Sequence, residues 1–494
     1  MSLNLADLFF RQADEQPDQP VILGPRDHDR VTYGDFCRTI QGLAKTLQGF
    51  GAGKGMNIGL HCPSGAQYIS LTYAIWACGA AVTPIPMELA EEEKQQILHH
   101  IAIDAIISTG SSGAGSSLFA PFARGEAIAL TEQAWFFPVK PQREPPPELD
   151  KLNPAFIRFT SGTTGAAKGV VLSHDTILAR IQAANQGLGI GPSDRIVWML
   201  SMAYHFAVSI VAYLSFGATI ILPKNAFGVS MLQAATRHRA TMIYGSPTHY
   251  ELMTHDQSGQ SLPRLRLAIA TTTRLAPELA QAFYQRFGLP LNETYGIIEI
   301  GLPAVNLDQP WEKRGSVGKP LPAYTVRLAG QPDGDSGDKA GEILIKGPGL
   351  LDAYYDPWQL RNAILQQNGG WLATGDLGVM DDQGFLTISG RSKEMISVAG
   401  MKFFPQEVEA VLMRHPAVLE ACVFGIKAPR LGETPMALLV RANDAQPTDD
   451  IALKAHCSRY LAGYKVPVRF QWVPCLARTA SGKIIRNAAK LMNR

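Results

Sequence analysis

Hydroxyl side chains and glycines crowd residues 160–165 (Thr160, Ser161, Gly162, Thr163, Thr164, Gly165), and Lys168 follows within the stretch FTSGTTGAAKGVVLSH. Residues this small build no core and favour neither helix nor strand. They suit a loop whose N–H groups and hydroxyls wrap a polyanion such as phosphate, with the lysine adding positive charge. The Walker A spacing fails: counted from Gly162, Ala167 stands where the second glycine belongs and Gly169 where the Mg²⁺-binding hydroxyl belongs. A flexible surface loop is the alternative for such a composition. Against it, FIRF (156–159) and VVL (170–172) read as strands that hold the loop at both ends. Ser173, His174 and Asp175 cannot form a hydrolytic triad, because side chains adjacent in sequence diverge.

Four further stretches carry groups able to do chemistry. ETYGIIEIG (293–301) places Tyr295, Gly296 and Glu299 at one strand-to-loop junction, with Thr294 beside them. WLATGDLG (371–378) sets Asp376 between glycines; such a pair reads as a turn, and equally as a short carboxylate placed to grip a vicinal diol. GRSKEMISVAGMKFFPQEVE (390–409) joins a hinge-like Gly-Arg to cations, and RTASGKIIR (478–486) puts Lys483 in a Ser-Gly loop. A lysine so near the end of a sequence is ordinarily a solvated charge.

The elements that must position these groups alternate along the chain. Phe36, Ile40, Leu43 and Leu47 recur at helical spacing within 32–51. IGLHC (58–62) and AAVTPI (80–85) read as buried strands around a helix over 68–79, the alternation of an α/β layered fold. The proline-rich run 138–154 is a connection leading into the small-residue loop. Beyond about residue 320, TVRLAG (325–330) and GEILIKG (341–347) predict a hairpin and FLTISG (385–390) a strand. FPQEVEAVLMRHPAV (404–418) predicts a helix with Pro405 at its start, Glu407 in its first turn, and Val408, Val411 and Leu412 on one face. Strands are expected at 421–426 and 436–442. The expected class is α/β, with a large multi-subdomain α/β domain over 1–390 and a small mobile α+β domain over 391–494.

Bulk properties exclude several functions. At 494 residues the chain exceeds one ordinary core. A formal net charge of +2 offers no basic face for nucleic acid or membrane. Six scattered cysteines without a CxxC pair fit reduced cytoplasmic thiols rather than disulfides or zinc. The N-terminus has no basic, apolar leader, so no secretory signal is expected, and no apolar run is long enough to span a bilayer.

TSGTTGAAKG, YGIIE, TGDLG, GRSKEMI followed by PQEVE, and SGK together, in this order, resemble the adenylate-forming superfamily of acyl-CoA synthetases, peptide-synthetase adenylation domains and firefly luciferase. TYGDF, GSVGKPLPAY (315–324) and YKVP (464–467) fit the same pattern, so the resemblance covers nearly the whole chain. It implies ATP-dependent activation of a carboxylic acid to acyl-AMP with release of pyrophosphate, then transfer to a thiol. Thr160 to Gly165 and Lys168 would cradle the β- and γ-phosphates. Glu299 would help hold Mg²⁺, and Lys483 would bridge the carboxylate and the α-phosphate. Tyr295 would stack on adenine beside Thr294 and Gly296, Asp376 would bind the ribose hydroxyls, and Arg391 would lie over ribose or phosphate. Lys393 takes the hinge position and Gly400 would face the thiol's pantetheine arm.

Two departures stand out. Isoleucine (Ile298) replaces the threonine whose hydroxyl meets the α-phosphate or metal, and Thr271, Thr272, Thr273 and Arg274 replace the Gly-Gly-Ala-Pro adenine loop. These leave open a nucleotide-sensing, non-catalytic relative. Amino-acid-activating relatives carry F-D-x-S where this chain reads FAVS (206–209), with Ala207 for the aspartate that pairs with the substrate ammonium. Burying an ammonium unpaired costs several kcal/mol, roughly, so a fatty or aryl acid is expected, with His205, Phe206 and Ala207 in the acyl pocket. The sequence runs eleven residues past Lys483 (494 − 483), so the thiol is expected from outside, from coenzyme A or from the 4'-phosphopantetheine of a free-standing acyl carrier protein. A monomer or homodimer in the cytoplasm is expected.

Overall fold

The computed structural model describes residues 3–26, 29–110, 118–160, 168–329, 340–391, 394–398, 401–428, 432–442, 448–478 and 484–486, with the backbone alone for Thr160, Lys168, Lys402 and Gly432. By contact the chain divides into two compact units, Met1–Val326 with Ile345–Leu372, and Arg327–Leu344 with Ala373–Arg494. Both are mixed α/β, as the alternation predicts.

The first unit is built on two large sheets. In one, the strand order is Trp358–Leu360, Ala353–Tyr355, Lys168–Ser173, Pro154–Thr160, Ala81–Pro84, Asn57–His61, Ala105–Thr109, Ala134–Pro138, Ile128–Thr131. Its middle is parallel and its edges antiparallel. Asn57–His61, the helix Ala66–Ala77 and Ala81–Pro84 form a parallel crossover unit, and the helix is apolar all round because it is buried on every side. The helix Tyr33–Gly49 starts where Thr32 accepts a bond from the Asp35 N–H, and buries Phe36, Ile40 and Leu47 on one face.

The second sheet orders Gly301–Val305, Asn292–Ile297, Leu267–Ala270, Met242–Gly245, Arg195–Trp198, Thr219–Ile221, Pro20–Leu23, Arg30–Thr32. Its six inner strands are parallel and mostly buried. Open parallel sheets bind ligands beyond the carboxyl ends of their strands, and the stretch carrying Glu299 leaves this sheet at the end of Asn292–Ile297.

The second unit contains most of a four-stranded sheet, Thr325–Leu328, Gly341–Lys346, Leu372–Met380, Leu386–Arg391, in which the first two strands are neighbours as the hairpin expectation requires. It also holds the antiparallel pair Val418–Ala428 and Gly432–Arg441, on which Val408, Val411, Leu412, Leu453 and Cys457 pack. The helix expected over 404–418 is shorter, Pro405–Leu412. Pro416 disfavours helical geometry at His415, so the chain turns after Leu412. All six cysteines are free, and five are buried. Among the described residues no helix is long and apolar enough to cross a membrane.

Candidate active site

Pro154–Thr160 and Lys168–Ser173 pair antiparallel from Phe156↔Leu172 to Thr160↔Lys168. The phosphate-loop expectation is therefore anchored on both sides, while Ser161, Gly162, Thr163, Thr164 and Gly165 lie outside the described residues. Ser173 has no catalytic company: its hydroxyl caps the next helix by accepting from the Thr176 N–H, and buried His174 accepts from the Leu5 N–H through Nδ1 at 3.1 Å. Burial holds the His174 pKa down to about 4.

Glu299 occupies the turn between Asn292–Ile297 and Gly301–Val305. Gly296 is required at the strand's end, because a Cβ there would lie 2.4 Å from the Gly301 carbonyl oxygen. The turn is gripped from behind by Arg180, 1% exposed on the helix His174–Leu188. Its guanidinium donates to Ile298 O at 3.0 Å and twice to Gly349 O, at 2.6 and 3.1 Å. Leu351 N–H donates to Glu299 O at 2.7 Å, and the Tyr354 hydroxyl donates to the Glu299 carboxylate at 3.4 Å. Burial raises the Tyr354 pKa, and Glu299 raises it further, so the phenol stays protonated as a donor. The sequence reading did not single out Arg180, Tyr354 or Gly349.

The Ile298 side chain can make no phosphate contact, but its carbonyl is the point through which Arg180 fixes the turn. Among the described residues no three metal-ligating side chains cluster. One partly exposed carboxylate nonetheless fits Mg²⁺, which takes one or two carboxylates and completes its octahedron with phosphate and water oxygens.

Beside this turn, Trp198, Tyr244 and Thr271 end three adjacent parallel strands. Trp198 stacks on Tyr244 (centroids 5.6 Å apart, 13° between planes), and the His205 ring stands edge-on to both, 6.1 and 6.3 Å away. The Tyr244 hydroxyl is hydrogen-bonded to Thr271. Below them runs a narrow cleft whose lining includes Asn185, Val208, Ser209, Tyr213, Tyr244 and Leu302, with no acidic or basic side chain. His205 reaches the cleft only through its contact with Tyr244, which lines it. Phe206 does not: it is fully buried, and its ring packs on Tyr68, Tyr73 and Trp76. Ala207 is buried, one residue before the cleft-lining Val208. A helix turn advances the side chain by roughly 100° per residue, so three consecutive positions cannot all face one pocket.

Thr271 N–H bonds Gly245 O at 3.0 Å, and Thr272 adopts φ +77°. This left-handed backbone favours glycine and is strained for a β-branched residue. Tyr295 is buried and Thr294 donates to Ala304 O across the strand pair. Buried Glu293 accepts from the Gly315 N–H at 2.5 Å; burial lifts its pKa to about 7, against the pull of that bond and of Arg274.

In the second unit, Asp376 is not in a turn. It belongs to the strand Leu372–Met380, directly opposite Arg391, whose Nε lies 3.0 Å from its carboxylate. Gly375, at φ +74°, supplies the local bend, and Asp376 itself continues the ladder. Lys393, Gly400 and Lys483 lie outside the described residues.

The chain was compared with known proteins. Residues 9–355 match the family model described as AMP-binding enzyme, and 407–483 match the AMP-binding enzyme C-terminal domain. A sulfoacetate–CoA ligase of Cupriavidus necator is 31% identical over 99% of this chain and 97% of its own. A long-chain-fatty-acid–CoA ligase of Yersinia pestis is 32% identical over 69% of this chain, which spans 62% of that protein. Among solved structures, the o-succinylbenzoate CoA synthetase of Bacillus subtilis in complex with the acyl-adenylate intermediate OSB-AMP superposes with a TM-score of 0.83 at 24% identity, covering 98% of this chain and 97% of that one. That likeness establishes the fold, and the family match over most of the length establishes descent: this chain belongs to the AMP-binding, adenylate-forming enzyme family.

Proposed function

We propose that this chain is an AMP-forming acid–thiol ligase acting on a carboxylic acid without an α-amino group, with coenzyme A as the thiol. A carboxylate oxygen bonds to the α-phosphorus of ATP, the bond from that phosphorus to the β-phosphate oxygen breaks, and pyrophosphate leaves with the electron pair. The thiolate sulfur then bonds to the acyl carbon, and AMP leaves with the pair of the broken anhydride bond. Family membership supports the reaction class. The single observation that carries the substrate reading is that Ala207 is buried beside a small cleft, lined among others by Val208, Ser209, Tyr213, Tyr244 and Leu302, that offers no acid or base. An ammonium entering it would shed its hydration unpaired. Asp175 is exposed on the helix His174–Leu188, and Glu293 is committed to Gly315, so neither offers itself as a substitute counter-ion.

Each residue's part follows from its surroundings. Glu299 would hold the divalent cation with phosphate oxygens, and that ion, when bound, neutralises charge on the triphosphate. Arg180 and Tyr354 keep the Glu299 turn and carboxylate in place. Thr160 to Gly165, Lys168, Tyr295, Asp376, Arg391 and Lys483 take the nucleotide roles that the motifs imply. A reorientation of residues 391–494 about Lys393, bringing Gly400 to the pantetheine arm, would serve the second step. The relatives named above are CoA ligases, which favours coenzyme A over a carrier protein, and the free thiols accord with the cytoplasm.

The test is a screen of carboxylic acids for pyrophosphate release, with coenzyme A and an acyl carrier protein supplied in turn. Within it, 3-phenylpropanoic acid is set against phenylalanine and hexanoic acid against norleucine. For a pair whose carbon skeleton fits, a preference of ~10²-fold for the deaminated acid is expected, the equivalent of about 3 kcal/mol. Efficient exchange with any free α-amino acid would remove the substrate reading.

A further inference from the structure

Arg158 has no role in the account so far. It lies in the strand Pro154–Thr160, two residues before the strand's end. The two residues before it, Phe156 and Ile157, are buried core. One guanidinium nitrogen, Nη1, donates to Tyr204 O at 2.8 Å, and the group lies over the Tyr204 ring at 4.9 Å. Nε is buried with no hydrogen-bond partner, and among the described residues no carboxylate pairs with the guanidinium. The Tyr68 hydroxyl, on a residue 1% exposed, is likewise unpartnered. Arg158 is near enough to Tyr68 and Glu299 to act on both through space. Two donors, the Arg158 Nε and the Tyr68 hydroxyl, thus stand without acceptors, and the oxygens of an anion would complete them.

We propose that Arg158, with the Tyr68 hydroxyl beside it, binds the β,γ-diphosphate portion of ATP and the pyrophosphate it becomes. Two observations favour this anion over a second acidic group on the substrate acid. First, Tyr204 turns to Arg158 while the next residue, His205, turns to Trp198 and Tyr244, so Arg158 and the acyl cleft address different faces of the segment Met202–His205. Second, Arg158 shares its neighbourhood with Glu299, the expected metal carboxylate, where phosphate oxygens would stand between the two cations. The proposal rests on the ligase reading for the identity of the nucleotide, but its test needs no turnover.

Affinities of wild type and Arg158→Gln are measured by calorimetry for Mg²⁺ with a non-hydrolysable ATP analogue, for Mg²⁺-pyrophosphate, and for AMP. A charge-assisted hydrogen bond lost from the first two corresponds to weakening of ~10- to 10²-fold, with AMP unchanged within about twofold. Arg158→Lys keeps the charge and loses the fork, so a smaller loss of the same pattern is expected, and it carries the comparison should the glutamine variant not fold. Equal weakening of ATP analogue and AMP, or no weakening of either, overturns the proposal. So does a defect confined to the binding of diacids and absent for matched monoacids, which would give the guanidinium to the acid instead. A chain unable to adenylate any acid would sink the ligase reading yet leave this comparison intact.

Discussion

Replacing Arg180 by methionine removes the clamp on the Glu299 turn while keeping most of the buried stem. Two carbonyls, Ile298 O and Gly349 O, lose the guanidinium that satisfies them. Each buried acceptor left unpaired costs about 1–3 kcal/mol, so the pair implies a loss of roughly 2–6 kcal/mol. That is a large share of the ~5–15 kcal/mol by which a domain is stable. Gly349 packs directly on the arginine, and a Cβ there would lie 2.4 Å from the Arg180 Cβ, so the site cannot collapse to heal itself by a simple shift. The functional consequence is separate from the stability one. A turn displaced by ~1 Å would misplace the Glu299 carboxylate and cost on the order of 10² in adenylation rate. The half-saturating Mg²⁺ concentration should rise by ~10-fold, equivalent to about 1.4 kcal/mol. Denaturant midpoints report the first effect; Mg²⁺ titrations of pyrophosphate exchange, at a temperature where the variant is folded, report the second. Arg180→Lys, reaching one carbonyl, should fall between. A destabilised variant with unaltered Mg²⁺ dependence would show that Arg180 serves the fold alone, and an unaltered midpoint would refute the hydrogen-bond argument itself.

Glu293 predicts a pH effect of definite sign. Its folded pKa of about 7 exceeds the 4.5 of an ordinary glutamate, so the native state holds a proton that the unfolded chain releases, and this group makes stability fall as pH rises from about 4.5 to 7. The difference of about 2.5 units is worth roughly 3 kcal/mol; Glu293→Gln should gain up to that amount at pH 8 and little at pH 5, measured by denaturant midpoint. His61 and His174, held neutral to about pH 4, act oppositely, so wild-type stability should drop as pH falls from about 6.5 to 4, and His174→Gln should flatten part of that drop. Thr272→Gly should relieve ~1–2 kcal/mol of left-handed strain and give back ~0.5–1 in chain entropy, for a net gain near 0.5–1 kcal/mol; a clear loss would mean that the threonine side chain holds the loop. Lys483→Ala should lower acyl-AMP formation by ~10²–10³ and spare thioester formation from supplied acyl-AMP; equal losses in both steps would contradict its assigned role.

Much of this architecture is legible in the sequence because short apolar runs and turn residues fix local structure. The strands flanking the small-residue loop and the buried helix Ala66–Ala77 follow from such patterns. What escaped depends on tertiary partners. Asp376 looks like a turn residue until Arg391 is found opposite it on another strand. Phe206 looks like pocket lining until the rings of Tyr68, Tyr73 and Trp76 surround it. The two arginines did leave a trace: Arg180 falls in phase with buried Ile177, Ile181 and Ala184 along one helix stripe, and Arg158 directly follows the buried run Ala155, Phe156 and Ile157. A charge at a core position is rarely decorative, yet the sequence alone cannot tell that one arginine binds carbonyls and the other lacks a carboxylate.

The central claim is that a carboxylate oxygen attacks the α-phosphorus of ATP in this protein. An acid accepted in the screen, labelled with ¹⁸O in its carboxylate, can be turned over with ATP, Mg²⁺ and coenzyme A and the phosphorus products read by mass spectrometry. The account predicts one labelled oxygen in AMP, none in pyrophosphate, and thioester equal in amount to AMP. Label in orthophosphate with ADP as co-product, or AMP formed without label, would contradict it.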